Sequence, residues 1–139
     1  MRILVLVFCL LLIGNFCYAE PIDLDAINQH EIDKFEEDLI EQDWSTAGMA
    51  NATLQAMEMW EEEMNKYYEL LKEELKGQDR EQLIKSQEAW LKFRDEEMKN
   101  ISNIFGRLSG TMYINLRIGT RRELVKQRAL DLKHYYQLP

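Results

Sequence analysis

Cysteine, proline, glycine and histidine are all scarce in this chain of 139 residues, which contains two, two, six and two of them, respectively. Two cysteines cannot form a disulfide-dense scaffold, and so few glycines and prolines leave little of the turn chemistry that an all-β sandwich requires. The histidines, His30 and His134, lie near opposite ends of the chain and form no H-x-x-x-H or H-E-x-x-H pair. The sequence therefore predicts neither a zinc site nor any other cofactor.

Basic residues are also in deficit, with 17 Lys+Arg against 25 Asp+Glu and a formal net charge of −8. This balance argues against a nucleic-acid partner, which would need a basic stripe facing the phosphates. The acids come in runs (Glu36–Asp38, Glu61–Glu63 and Glu73–Glu74), and adjacent residues on a helix point about 100° apart. Such runs indicate solvated helix faces rather than converging catalytic carboxylates. Because the chain also lacks a G-x-S-x-G elbow and a phosphate-binding glycine loop, we predict that it is not an enzyme.

The amino terminus has the pattern of a secretory signal peptide. A short basic start is followed by the apolar run Ile3–Ile13 and by the triplet Cys17-Tyr18-Ala19, with small residues at its first and third positions. A membrane anchor would require about 20 apolar residues. Acylation of Cys17 stays open in principle, although Phe16 stands where a lipoprotein signal favours a small residue. Residues 1–19 are therefore predicted to be a signal peptide that is cleaved after Ala19.

Cleavage would leave residues 20–139 as a single helical domain in the periplasm or outside the cell. The mature chain would carry 16 basic and 25 acidic residues, a net charge of −9, and no cysteine, because Cys9 and Cys17 leave with the leader. A helical domain of this size can bury enough apolar surface to fold without disulfides. The mature form is expected to have no membrane segment.

Apolar residues in the mature chain recur at helical spacings of three and four. The first helix is predicted over Asp23–Gln42, and the second runs from a Ser45 or Thr46 cap to Gly77. The third begins at a capping arrangement of Asp79 and Gln82 and ends at about Phe105. Gly106–Gly110 forms the long turn, and the last helix begins at Met112. We predict an all-α antiparallel bundle of three long helices plus a shorter N-terminal helix. The predicted buried stripes are Leu24, Ile27, Ile32, Phe35, Leu39 and Ile40; then Ala50, Leu54, Met57, Met64, Tyr68, Leu71 and Leu75, with Trp60 beside them; then Leu83, Gln87, Trp90, Arg94, Met98 and Ile101; and finally Ile114, Ile118, Val125, Leu132 and Tyr135.

Trp90 and Arg94 lie four residues apart in the densest segment of the third helix. The guanidinium can therefore lie over the indole or reach a neighbouring helix. The pair is interpreted as a core anchor that sets helix register, and a surface hot spot stays open as the alternative.

The segment 90–95, WLKFRD, resembles the W-L-x-Y/F-R-D signature of the LprI-type lysozyme-inhibitor family, which includes many small secreted bacterial proteins. Residues 64–68 are similar to the family's L-N-x-x-Y, residues 109–113 to its G-G-S-x-x turn, and residues 128–132 to the end of its T-x-x-R-x-x-E-L motif. The resemblance covers about residues 46–135. The motif residues interpreted as structural are Asn65, Tyr68, Trp90, Arg94, Asp95, Arg128 and Leu132.

The family usually carries disulfide-forming cysteines, and this chain departs from that pattern. The aligned positions hold Ala52, Met98 and Thr120. Loss of all of them together is consistent with loss of structural bridges, since a single orphan thiol would be a liability. Met98 and Thr120 are expected to pack against each other on neighbouring helices.

The resemblance implies inhibition of lysozyme outside the cytoplasm. Lysozymes of the common animal type are basic and hold catalytic carboxylates in a cleft, so an acidic domain would be steered toward them. The Gly106–Met112 turn is the candidate element for entering the cleft, with Arg107 meeting a carboxylate and Ser109 donating a hydrogen bond; alternatively, its glycines only reverse the chain. The expected partner-binding residues are Arg107, Ser109, Gly110, Thr111 and Met112.

Two other functions stay open from the sequence. The partner could be another cell-wall hydrolase or toxin, or an envelope protein bound through a helix groove, which would make the chain a non-catalytic interaction module. Alternatively, Met57, Met59 and Met64 could form a self-association face, because methionine adapts well to such surfaces. The sequence does not define the oligomeric state.

Overall fold

The computed structural model describes residues 30–139, so the expected signal peptide, its cleavage site and the predicted helical positions Leu24 and Ile27 lie outside the described residues. Within 30–139 the chain forms four helices and no strand: α1 (Glu31–Gln42), α2 (Thr46–Glu74), α3 (Gly77–Phe105) and α4 (Met112–Tyr136). These residues include no cysteine. The predicted all-α bundle of three long helices and a shorter N-terminal one, without disulfides, is confirmed. None of the four helices combines the length and apolarity needed to cross a membrane.

Helices α2 and α4 form the tightest pair and run parallel to each other. Lys126 lies over the Trp60 ring at 5.4 Å, and Lys133 lies over the Tyr67 ring at 5.9 Å. Both contacts join residues 66 positions apart, which places the beginnings of the two helices level with each other. The α1–α2 connection and the α3–α4 turn are therefore at the same end of the bundle.

Helices α1 and α3 run antiparallel to this central pair. On α3, Gln87 meets Arg128 of α4 at 3.0 Å, whereas Arg94 meets Glu61 of α2 at 3.7 Å. On α1, Asp33 contacts Lys126 at 2.8 Å and Glu36, further along α1, contacts Arg122 at 3.3 Å. The arrangement is the up-and-down one that short connections between successive helices favour.

The core lies mainly between α2 and α4. Small side chains let the two helices approach closely, since Ala52, Ala56 and Ala129 are at most 1% exposed. Large side chains fill the remaining space, and the fully buried ones are Trp60, Met64, Val125 and Leu132. Met64 is buried and Met57 and Met59 pack against this core, as a packing role of the three methionines expects.

Several predicted core positions are wrong. Leu54, Ile114 and Tyr135 are 39%, 41% and 49% exposed, whereas Trp60, placed beside the stripe by the sequence, is the fully buried centre of α2. The reason is that the face of α2 that packs against α4 consists of residues spaced four apart, namely Ala52, Ala56, Trp60 and Met64. Alanines carry little hydrophobic signal, so the heptad of larger residues indicated a neighbouring face instead.

The helix ends agree with the prediction in part. The Ser45 hydroxyl accepts the Gly48 N–H at 2.9 Å, so Ser45 is the predicted cap of α2. Helix α2 ends at Glu74, and Gly77, with a φ of +55°, begins α3. Asp79 consequently lies in the first turn of α3 and does not cap it.

Helix α1 begins at Glu31 because His30 is extended and caps it, so the described helix is shorter than the predicted Asp23–Gln42. The His30 Nδ1 accepts the Ile32 N–H at 3.3 Å, and the imidazole stacks on Trp60 with ring centroids 4.4 Å apart. A nitrogen that accepts this bond cannot also carry a proton. The charged groups around the ring are Glu31 and Asp33 of α1, Glu63 of α2 and Lys133 of α4.

Acidification is expected to destabilise the protein through His30. Burial, and after it the Lys133 ammonium, lowers the pKa of His30 below its ordinary 6.5, so the unfolded chain binds the proton more readily. The stability contributed by neutral His30 is complete above pH 6.5 and is lost as the pH falls through the lowered pKa of the folded state. Urea unfolding at pH 7.5 and pH 5 should show a smaller acid loss for His30→Asn, which keeps a capping oxygen. His134→Asn, at an exposed position, is the control. Equal acid losses in wild type and His30→Asn would contradict this assignment.

Candidate functional site

The α3–α4 turn projects from the end of the bundle at which α2 and α4 begin. After α3 ends, the Gly106 N–H donates to the Ser102 carbonyl at 2.9 Å and the Leu108 N–H donates to the Phe105 carbonyl at 3.1 Å. Gly110 has a φ of +119°, which L side chains rarely adopt, so a glycine is required there to lead the chain into α4. All the residues of the turn, 106–111, are exposed.

The structure brings the sequence-predicted partner-binding residues together on this turn. All five are exposed, and Met112, the first residue of α4, has 62% of its surface accessible to solvent. A thioether so exposed is available to a partner rather than to the core. These residues are Arg107, Ser109, Gly110, Thr111 and Met112.

Several exposed apolar residues near the same end were not predicted from the sequence. Trp44, in the α1–α2 connection, is 69% exposed. Around the α3–α4 turn, Ile104, Leu108 and Leu116 are 51%, 45% and 48% exposed. None of these side chains lies on a predicted core stripe, and that was the signal that could have identified them: apolar residues outside the helical period are candidates for a surface patch.

The Trp90–Asp95 motif lies on the flank of α3, away from the turn. The Arg94 guanidinium lies 5.7 Å from the Trp90 ring centroid, and its Nε and Nη2 donate to Asp95 at 3.0 and 2.8 Å. Its Nη1 is 3.7 Å from Glu61 on α2. The motif therefore holds α3 against α2, as the anchor interpretation expects, while Lys92, Phe93 and Asp95 of the same segment are exposed.

Arg128 fixes the other side of α3. Only 9% of it is exposed, its Nε donates to Gln87 Oε1 at 3.0 Å, and its guanidinium lies 5.9 Å from the Trp90 ring centroid. Burial lowers the pKa of Arg128 below its usual range, although an arginine stays charged in proteins. Leu132, one turn further along α4, is completely buried. Arg128 therefore joins α3 to α4, whereas Leu132 belongs to the core cluster that contains Trp60 and Val125.

The remaining motif residues lie on α2, and one of them, Tyr68, packs against the core. Asn65 is exposed, and Tyr68 is half-buried beneath the Lys72 ammonium at 5.0 Å. Neither residue is near the turn, because both lie in the half of α2 that is remote from its beginning.

The expected packing of Met98 on Thr120 is replaced by a different contact. Met98 packs against the core, whereas Thr120 is exposed and its hydroxyl donates to the Leu116 carbonyl at 2.8 Å. The neighbouring Arg121 instead donates from Nη2 to the Met98 carbonyl at 3.3 Å, so a side-chain to backbone bond joins α3 to α4 there.

The arrangement is suited to binding. Among residues 30–139, no group of three or more His, Asp or Glu side chains could hold a metal ion. The groove between α1 and α4 is lined by Asp33, Glu36, Arg122 and Lys126, which pair with one another. Glu36 is only 6% exposed, so this member of an acidic run is not on a solvated face. The exposed turn and the apolar residues around it form an accessible surface at one end of the bundle.

Comparison with known families gives one result. The family model described as "Lysozyme inhibitor LprI" matches residues 41–132, more than half of the chain. No curated protein and no solved structure matches the chain. The matched span begins in the last turn of α1 and includes both connections at the end of the bundle where α2 and α4 begin.

Proposed function

This chain belongs to the LprI lysozyme-inhibitor family, and on that premise we propose that it binds lysozyme and inhibits it through a protein–protein interface. The family match over residues 41–132 is the observation that carries the proposal. Inhibition of this kind requires no chemistry by the inhibitor itself. The chain acts as a binding protein and not as an enzyme.

The protein is proposed to act in the periplasm or outside the cell. Its first nineteen residues have the pattern of a signal peptide with cleavage after Ala19, and lysozyme is encountered beyond the cytoplasmic membrane. The processed protein would then be Glu20–Pro139, which is the form to purify for the experiments below.

The α3–α4 turn is proposed as the inhibitory element. A lysozyme cleft is concave and holds two catalytic carboxylates, so a blocking element has to be convex and to tolerate negative charge opposite it. The turn is exposed, it projects at an end of the bundle, and it carries the cationic Arg107. Ser109, Gly110, Thr111 and Met112 would complete the contact.

The acidic remainder of the protein would accelerate association. The net charge of −9 expected after cleavage would steer the inhibitor toward a basic lysozyme, most strongly at low ionic strength. We expect clearing of a cell-wall suspension by c-type lysozyme to be suppressed in a dose-dependent manner, more at low salt than at physiological salt. Turbidity measured with and without the processed protein checks this. No protection at either salt, from protein shown by circular dichroism to be helical, would contradict the proposal and favour an interaction module with another envelope partner.

Removing the guanidinium of the turn is expected to weaken inhibition. Arg107→Ala should raise the inhibition constant about tenfold, because a carboxylate in the cleft would lose its charged partner. Arg80→Ala is the matched control, since it removes the same charge from an exposed position at the opposite end of the bundle. If Arg107→Ala and the additional variant Ser109→Ala both inhibit as wild type does, the turn is not the inhibitory element.

A further inference from the structure

Two long segments with at most one charge each lie at the same end of the bundle. Residues 44–57 contain no charged side chain, and residues 100–116 contain only Arg107, in a chain of which 30% is charged. The first segment contains the α1–α2 connection and the first turns of α2. The second contains the end of α3, the turn and the beginning of α4. Because α2 and α4 start level with each other, the two segments form a single region.

The surface of this region is apolar as well as uncharged. Around the turn, Ile104, Leu108 and Met112 are 51%, 45% and 62% exposed, and Trp44 from the other connection is 69% exposed. We refer to these four residues together with Arg107 as the apolar end. Depletion of charge combined with tryptophan, methionine and arginine is the composition found at the centre of protein interfaces.

Trp44 is presented by an ordered connection. The Asp43 carboxylate accepts the Ser45 N–H at 2.9 Å. Hydrogen bonding from Ser45, first from its side chain and then from this N–H, lowers the pKa of Asp43 below its ordinary value. The Asp43 carboxyl group also fills the space beside Gly48 that a larger side chain at that position would need. The Asp43 side chain therefore rests on the first turn of α2 and restricts the backbone on either side of Trp44. An exposed aromatic side chain on a restrained backbone loses little entropy on binding.

The charges next to the apolar end set the kind of partner that it fits. Within the apolar end the one charge is positive. Asp38, Glu41 and Asp43 place negative charge at its margin on the α1 side, whereas Lys99 and Arg117 flank the second segment on α3 and α4. A complementary partner offers a carboxylate within an uncharged concave site and a basic rim where it faces α1. This is the distribution of a basic glycosidase, whose cleft holds two carboxylates and whose outer surface is cationic.

We propose that the whole apolar end, and not the turn alone, enters the substrate cleft of lysozyme, with Trp44 as a second contact beside the turn. This inference rests on the proposed function. Trp44, Leu108 and Met112 cover the apolar and aromatic walls that bind sugar, while Arg107 pairs with the carboxylates. Because no other charge of the apolar end enters with them, insertion removes no unpaired ion from water.

The first test is a substitution at Trp44. We expect Trp44→Ala to raise the inhibition constant about 30-fold, the size of effect that an interface hot spot produces. Phe93→Ala is the matched control, because Phe93 is 53% exposed on the flank of α3 and should leave the constant unchanged. Urea unfolding should be the same for wild type and both variants. A lysozyme that is inhibited equally by wild type and Trp44→Ala overturns this inference and leaves the proposed function intact, whereas failure of the wild type to inhibit overturns both.

A direct readout follows the tryptophans themselves. The chain has three, so protein grown with 5-fluorotryptophan should give three ¹⁹F resonances, and Trp44→Phe identifies the one from Trp44. Unlabelled lysozyme should shift or broaden that resonance and leave the buried Trp60 resonance in place. Chitotriose, an oligosaccharide that occupies the cleft, should reverse the change. Persistence of the shift in saturating chitotriose would place the contact outside the cleft. A Trp44 resonance that moves with protein concentration in the absence of lysozyme would show that a second copy covers this surface, and either result overturns the proposal.

Discussion

Replacing Trp60 by alanine is expected to lower the free energy of unfolding by about 4 kcal/mol, the range seen when a buried large aromatic side chain is truncated. Trp60 is completely buried at the centre of α2. Removing the indole discards its transfer free energy and leaves a cavity that neighbouring helices can only partly fill. For a domain whose total stability is about 5–15 kcal/mol, such a loss is a large fraction of the whole.

The effect is expected to extend to the docking of α1. The Trp60 ring is the surface on which His30 stacks, with centroids 4.4 Å apart, and the Lys126 ammonium lies 5.4 Å from its centroid. One side chain thus contacts the start of α1 and the middle of α4. Truncation should therefore loosen α1 while it weakens the α2–α4 pair.

Urea unfolding followed by circular dichroism checks this prediction. Trp44→Ala is the natural comparison, because it deletes the same side chain from a position that is 69% exposed and should change the free energy of unfolding by less than about 0.5 kcal/mol. Similar losses for the two variants would show that burial of Trp60 does not dominate the core.

The second large effect is expected at Arg128. Substitution by methionine keeps most of the aliphatic volume but removes the guanidinium that donates to Gln87 and Ser86. Gln87 is only 4% exposed, so its Oε1 would be left without the Arg128 donor in a place that water hardly reaches. Together with the lost contact to the Trp90 ring, the variant should lose about 3 kcal/mol.

A double-mutant cycle separates the hydrogen bond from the packing. In Arg128→Met with Gln87→Leu, both polar partners are replaced by apolar groups, and such replacement is often neutral or stabilising. The double variant should therefore be more stable than Arg128→Met alone, with a coupling of about 1–2 kcal/mol. Simple additivity of the two single losses would contradict the assignment of Arg128 to a buried pair with Gln87.

The parts of the fold that the sequence predicted best are those in which large residues mark the buried face. On α3 the predicted stripe, including Gln87, Trp90 and Ile101, is buried or half-buried throughout. Ser45 was predictable as a helix cap because a hydroxyl before an apolar stretch has a local role that tertiary contacts seldom alter. Interactions between residues close together in the sequence determine both features.

The parts that failed depended on a partner helix. Ala52 and Ala56 define the contact face of α2 because their side chains are small, and not because they are strongly hydrophobic. Arg128 is buried because Gln87 and Trp90 on α3 receive it, which a single helix cannot reveal. Its place in a family motif indicated structural importance without indicating the contact.

Only part of the candidate site could be predicted from the sequence, for a similar reason. The turn around Gly110 was visible as a break in helical period, with Arg107 inside it. Trp44 was not associated with the turn, because at least 62 positions of sequence separate them and only the parallel pairing of α2 and α4 brings both to the same end. The absence of charge in both segments was a pattern that the sequence already contained.

The attachment of α1 has a consequence for how the molecule opens. Its described residues place one hydrophobic side chain, Ile32, in the core, and the ties to α4 are the ion pairs of Asp33 and Glu36. Such an edge can detach by a sub-global fluctuation while α2 and α4 stay together. Amide hydrogens of α1 should accordingly exchange with deuterium earlier than those around Val125, and added salt should widen the interval by weakening the ion pairs. Helix α1 would then detach and rebind while the pair of α2 and α4 stays folded.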